Sequence, residues 1–488
     1  MNKSITLSPK QKALQINLDD TIYGSFVEIG GGQEVARQFF EAGSASGTIA
    51  KTMSAYDKDF SNAIYAKEKD GRFVSKSRLI NMLTKEYGLL EERLDRKNFK
   101  KTRFFAFADT VETISYNKTN KGHGWLGLRF QLNPNSKPND MIIHVRLHDQ
   151  DSKTQRETLG VLGTNLIHAC FFTKKPKDIL KNLYDSLTRD KSEIDMDKIE
   201  IDMVEIVGPD FKDVDNRLLS LTLVKERMTN AVIFGPDGMN RQPSDILWKK
   251  HILTMRGSFR PVTKVNVDML DNGFYKYSNN KKVEADNIQI LFEITLSNLR
   301  KEKNSLDSSV KKKRINQQDF LDRADLLCSL GYTVMISNYM KYYKLIEYLS
   351  QFTNKRMGLI LGVDNLKPMF EEKYYRNLNG GIMEAFGIIL KRDIKMYLYP
   401  YQPKKNIEIQ NSKNIKVHPR GKRIYQYLLE NKRIEDLDFN PDILDIFSRN
   451  VLKLIKSCKD GSWEKKVPKG VAKIIKEKDL FGRICKLD

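Results

Sequence analysis

The sequence predicts an α/β protein: a parallel sheet with helices on both faces in the C-terminal half, preceded by an α+β region built on an antiparallel sheet. Three observations predict it. Between residues 251 and 399, short apolar runs alternate with amphipathic ones, the pattern of strands buried on both faces between crossover helices. Between 102 and 149, three β-branched and aromatic runs follow one another with polar turns between them and no helix, as antiparallel neighbours do. Finally, 488 residues with 40% hydrophobic content are too many for one core, so two or three domains are expected. The divisions read as an α+β region over 1–229, a Rossmann-like domain over 230–403, and a basic, mainly helical region over 404–488.

The elements follow in order. "TIYGSFVEI" is β-branched and aromatic, "GGGQ" breaks it, and "EVARQFFEAG" puts Val35, Phe39 and Ala42 on one helical face. After the small-residue loop "GSASGTIAKT", residues 75–96 have helical periodicity with serine near the start. The runs "TRFFAFADTVETISY", "GWLGLRFQL" and "DMIIHVRLHD" are the three strands, two helices follow, and "KIEIDMVEIVG" is a further strand. In the second half the strands "HILTM", "IQILFEITL", "YTVMISN", "MGLILGV" and "DIKMYLYP" are separated by "FLDRADLLCSLG", "MKYYKLIEYLSQF" and "GGIMEAFGIILKR". The charged stretch 300–314 reads as an exposed loop, and beyond about 420 the chain looks helical and basic.

Charge is the strongest compositional signal. Lys and Arg number 84 against 62 acids, a net charge of +22. Such a field attracts RNA, DNA, acidic proteins or anionic small molecules, with an encounter rate that falls with salt. No run of apolar residues is long enough to cross a membrane, and the first twenty residues lack the apolar centre of a secretory signal. Cys170, Cys328, Cys458 and Cys485 are scattered, without zinc or disulfide spacing. A cytoplasmic protein is therefore expected.

Two loops offer backbone amides to an anion. In "RGSFRPVTKVNVDML", glycine follows a strand and a helix follows Thr263. Gly257 lets N–H groups approach a phosphate, the helix N-terminus favours negative charge, and Ser258 and Thr263 add hydroxyls. By the rule that ligands sit at the carboxyl ends of parallel strands, this loop is well placed. The second loop holds Gly30, Gly31 and Gly32 before a helix, with Ser46, Thr48 and Lys51 in the next small-residue segment. Its spacing is neither Gly-x-Gly-x-x-Gly nor that of a P-loop. No metal site is expected: His144 and His148 share one strand face but stand about 13 Å apart, too far to share an ion. His168 reads as a core residue.

The stretch "GSFRPVTKVNVDML" resembles the first signature of the nucleotidylyltransferase superfamily, especially its nicotinate-nucleotide and pantetheine-phosphate adenylyltransferases. There Gly-x-Phe-x-Pro is followed by Thr or His, then by x-Gly-His opening a helix. Gly257, Phe259, Pro261 and Thr263 match, while the Gly-His pair falls on Val265 and Asn266. In that family the histidine contacts nucleotide phosphates and stabilises transition-state charge; asparagine donates a hydrogen bond but carries no positive charge. The family's second signature, a Ser/Thr-rich turn followed by arginine, meets only Ser337 followed by lysines in "ISNYMKYYK". The likeness spans residues 230–400, and as a whole the chain is similar to an uncharacterised bacterial family often called nicotinate-nucleotide adenylyltransferase.

The resemblance implies binding of a nucleotide or phosphorylated small molecule by Gly257, Ser258, Phe259, Pro261, Thr263 and Asn266. The cofactor would be ATP or another nucleotide with Mg2+. Any enzyme activity would be that of a nucleotidyltransferase-like transferase without the motif histidine, and no catalytic residue is assigned. Two other classes stay open: a non-catalytic RNA- or ribosome-binding protein using its basic surface, and a structural, self-assembling protein.

Overall fold

The computed structural model describes residues 6–68, 71–187, 198–299, 315–402, 407–457 and 461–483. The charged stretch 300–314, Cys458 and Cys485 lie outside these residues. The chain divides into two compact units, Met1–Asn230 and Ala231–Asp488.

The first unit carries a sheet of six strands: β1 (Ile22–Gly30), β2 (Ile49–Ala55), β3 (Arg103–Glu112), β4 (His123–Phe130), β5 (Asn139–Leu147) and β6 (Ile199–Val207), in the order β2-β1-β3-β4-β5-β6. The three strands expected to be antiparallel are β3, β4 and β5, and β6 continues the pattern. The other end of the sheet is parallel, because β1 pairs with β2 and β3 in the same direction. Helix α1 (Val35–Ala42) is the crossover between β1 and β2, the kind of connection that parallel neighbours require. One face stacks Phe26, Phe105, Phe107 and Phe130 beneath α1 and α3 (Ser152–Phe172). The other packs Val27, Phe104 and Ala106 against Leu79, Met82 and Leu83 of α2 (Lys76–Arg93). Ser75 starts α2 by accepting a bond from the Arg78 amide, as a serine N-cap does.

The second unit holds eight strands: β7 (Ala231–Phe234), β8 (Asn240–Arg241), β9 (His251–Arg256), β10 (Ile288–Thr295), β11 (Thr333–Ser337), β12 (Met357–Gly362), β13 (Ile394–Tyr399) and β14 (Ile434–Asp436). Their order is β14-β13-β12-β9-β10-β11-β7-β8. β9 to β14 all run parallel, and β7 and β8 close one edge antiparallel. Taken in chain order, the six parallel strands have the doubly wound, Rossmann-like arrangement, in which the first and fourth lie side by side.

Helices cover both faces. α4 (Lys264–Ser278) lies on the Leu253 and Ile360 side, where a side chain at Gly273 would sit 2.5 Å from Ile360 Cδ1. α5 (Gln317–Ser329) is on the same face, its Phe320 against Phe234 of β7. α6 (Tyr342–Leu349), α7 (Gly381–Leu390) and α8 (Lys422–Glu430) pack on the opposite side, over Ile252, Met335, Leu359 and Met396. The chain beyond 404 belongs to this unit. α8 is the crossover that delivers β14 to the sheet edge, followed by α9 (Ser448–Ser457). β14 is three residues, "IED", too short to show a period-two pattern in the sequence.

Candidate functional site: the cleft at the strand switch point

β9 is the strand from which the sheet grows in both directions. The chain leaves it for β10 through α4 on one face, and returns beside it as β12 after α6 on the other. Connections parting to opposite faces leave a crevice above the carboxyl ends of the two strands. A cleft of about 640 Å³ lies there, within the size range of small-molecule sites. Its walls are Gly257 and Ser258 after β9, Thr295 and Asn298 at the end of β10, and Asp364 and Asn365 after β12. Lys341 and Tyr342 come from the start of α6, and Ser448 and Arg449 from the start of α9.

At the base, Arg256 forms a paired fork to buried Glu293, Nε to Oε2 at 2.7 Å and Nη2 to Oε1 at 2.8 Å. Ser337 donates to the same carboxylate at 2.5 Å. The fork neutralises Arg256 and ties the ends of β9, β10 and β11 together. The cations left over are Lys341 and Arg449, which have no carboxylate in ion-pair range among the described residues. Lys341 Nζ lies 3.7 Å from the centre of the Tyr374 ring. Burial lowers its pKa, opposed by Glu371 and aided by Lys373.

The loop after β9 is tightly determined. The Gly257 amide donates to Glu293 O at 3.1 Å, continuing the sheet. Phe259 adopts φ 46° and turns its ring back into the core, edge-on to Phe292 at 5.0 Å. That ring makes glycine necessary, since a Cβ at 257 would lie 2.8 Å from it. The Ser258 and Phe259 amides have no hydrogen-bond partner among the described residues. Successive N–H groups without partners at a turn are the kind of donor that anions take elsewhere.

Of the residues singled out in the sequence, the structure brings Gly257 and Ser258 to the cleft. Phe259, Pro261 and Thr263 are buried in the core. Asn266 is turned to the helix end instead, where its Oδ1 accepts the Thr263 amide at 2.9 Å and the Thr263 hydroxyl at 3.1 Å. This caps α4, so the position that aligns with the histidine of the nucleotidylyltransferase signature closes a helix end here.

The second loop is sealed by its own chain. Glu28 of β1 accepts the Val35 amide at 2.7 Å and the Ala36 amide at 3.3 Å, and so fills the N-terminus of α1. Side chains at Gly30, Gly31 and Gly32 would meet Val111 O at 2.3 Å, Thr113 Cγ2 at 2.6 Å and Asp109 Oδ1 at 2.0 Å. These glycines allow β1 and β3 to close together. Thr48 is buried and donates to Asn17 O at 3.3 Å, Ser46 is exposed, and Lys51 pairs with Glu86 at 2.5 Å. Glu28 and Asp109 face each other across the register. Burial holds the Glu28 carboxyl up at about 7 against the pull of the Val35 and Ala36 amides. Burial, then the Glu28 charge, raises Asp109 well above the usual carboxyl range.

Sequence reasoning missed a polar row on the first sheet. His144 Nδ1 meets Asp202 at 2.6 Å, its Nε2 meets His123 Nδ1 at 3.2 Å, and His123 Nε2 lies 3.6 Å from Glu112. His148 turns to Glu200 instead, at 3.5 Å. The row crosses four strands, so only the register reveals it. Among the described residues, no three His, Cys, Asp or Glu are grouped to hold a metal ion. Nor is any described helix long and apolar enough to cross a membrane.

No family model and no curated protein matches the chain. Solved structures do, at low similarity. The competence/damage-inducible protein CihA of Agrobacterium tumefaciens shares 18% identity over 34% of this chain and 98% of its own, with a TM-score of 0.24. A competence or damage-inducible protein of Enterobacter asburiae shares 11%, covering 34% and 99%, at 0.25. A competence-damaged protein (CinA) superfamily member of Escherichia coli shares 15%, covering 33% and 90%, at 0.23. Likeness at this level carries no functional argument.

Proposed function

We propose that the second unit binds a nucleotide or another phosphorylated small molecule in the cleft above β9 and β12, as a divergent nucleotidylyltransferase-like protein. One observation carries the reading. The unpartnered Ser258 and Phe259 amides stand at the carboxyl end of the strand where the sheet changes direction, the place where such sheets take phosphorylated ligands. Lys341 and Arg449 supply positive charge to the same cleft, and Tyr374 offers an aromatic face. ATP with Mg2+, or nicotinate mononucleotide, is the ligand class to try first. In a thermal-shift screen, ATP at about 100 times its Kd adds roughly 2.7 kcal/mol of stability, a rise of several degrees, and Gly257→Val removes the rise. A panel of nucleotides that leaves Tm unmoved refutes the reading.

A second reading has its own observation. Residues 231–488 hold 48 basic against 30 acidic side chains, and residues 1–230 hold 36 against 32. The net charge of +22 is therefore concentrated in the second unit, which favours RNA as a partner. RNA that co-purifies and is shed steeply between low and physiological salt supports this; a chain free of nucleic acid at low salt removes it.

A further inference from the structure

The amides of Ser258 and Phe259 bind an anion only if their peptide planes are held, and the residue that holds them lies outside the cleft. Arg323 of α5 is 2% exposed. Its Nη1 donates to Ser258 O at 3.1 Å and to Asn298 O at 3.1 Å. One carbonyl belongs to the loop after β9 and the other to the helical turn Leu296–Leu299 after β10, which form neighbouring walls of the cleft. Nη2 forms an ion pair with Asp319 one turn earlier on the helix, and the other oxygen of Asp319 holds Arg260 of the first loop. Asn298 completes the brace by donating from Nδ2 to Gly257 O at 3.4 Å.

The consequence follows from the planarity of the peptide group. In a trans peptide the C=O of one residue and the N–H of the next point in opposite directions. Drawing the Ser258 carbonyl down to Arg323 therefore turns the Phe259 N–H away from Arg323. Phe259 is left-handed, a conformation that non-glycine residues keep only when their surroundings impose it. The buried fork and the Phe259 ring against Phe292 impose it here.

We infer that Arg323 is a positioning residue for anionic ligands: through Ser258 O, Asn298 O and Asp319 it presents the amides that receive a phosphate. The inference rests on the cleft reading above and adds the residue that makes it selective for the charged part of the ligand. Lysine cannot reproduce the brace, because one ammonium does not span two carbonyls and a carboxylate as a planar fork does.

Calorimetric titration of the full chain with ATP and with adenosine tests it, using Arg323→Lys, Arg323→Met and Asp319→Asn. Circular dichroism selects the variants that fold, and Arg323→Lys carries the test if the methionine variant does not. Arg323→Lys is expected to weaken ATP binding by about tenfold or more, the weight of a lost hydrogen bond to a charged group, while adenosine binding is unchanged. ATP binding retained in that variant, or ATP and adenosine weakened equally, overturns the positioning role and leaves the cleft reading intact. Failure of the unaltered chain to bind ATP is a different result: it overturns the cleft reading and this inference with it.

Discussion

Two glycine-rich turns in this chain begin alike and end differently. Each follows a parallel strand, β1 or β9, and precedes a helix packed on that strand's sheet. At β1 the anion that the helix N-terminus favours comes from the chain itself, as Glu28 on the Val35 and Ala36 amides. At β9 the helix is capped by Asn266, and the turn's own amides at 258 and 259 have no partner among the described residues, with Ser258 lining a cleft. A glycine after a strand thus marks close approach of the backbone, and only the surrounding acceptors decide whether that approach serves packing or a ligand.

The largest effect is expected where the first turn is tightest. Gly32→Ala places a Cβ 2.0 Å from the Asp109 carboxylate, on a turn pinned between β1 and β3. Overpacking of this kind costs about 1–3 kcal/mol or more, so the first unit should melt several degrees lower. ATP binding by the second unit should be untouched. If Gly32→Ala instead leaves stability alone and weakens ligand binding, the contrast between the two turns is reversed.

This contrast also shows what the sequence discloses. The alternating apolar pattern made the parallel sheet from β9 to β13 legible, because each strand buried on both faces leaves a continuous apolar run. The placement of Gly257 and Ser258 at a carboxyl edge was legible for the same reason. Glu28 reaching the α1 amides was not, since one acidic residue in an otherwise apolar strand gives no sign of where its side chain turns. Lys341, Asp364 and Arg449 were equally hidden, because crossover topology, and not spacing, gathers them from three segments far apart in the chain. Asn266 was visible as a departure from the family pattern. Its capping role emerged only from the structure, where its side chain turns back to accept from Thr263.

A smaller effect follows from the two carboxyls beneath the first turn. Glu28 titrates at about 7 in the folded chain against 4.5 as its ordinary value, and Asp109 is raised in the same direction. The folded state therefore holds these protons more tightly than the unfolded one. Their stabilising contribution is complete below the unfolded pKa and disappears as pH rises through the folded one. The first unit should lose on the order of 1–3 kcal/mol between about pH 4.5 and pH 7.5, and Asp109→Asn should flatten that slope and raise Tm at about pH 8. A melting temperature that climbs across the same window contradicts the assignment.

The smallest change bears most directly on the missing histidine. Placing the histidine of the nucleotidylyltransferase signature here, by Asn266→His, tests whether position 266 of this chain belongs to a ligand site. Asn266 Oδ1 accepts both the amide and the hydroxyl of Thr263, and an imidazole cannot stand in for a side-chain carbonyl that accepts two donors at once. Loss of such a cap costs about 1 kcal/mol, or roughly 2–4 °C in a unit of this size. ATP affinity should not improve, because the side chain at 266 serves the helix end and does not line the cleft. A gain in affinity on Asn266→His would mean that the helix end can be released to the ligand, and that the two turns differ less than their capping suggests.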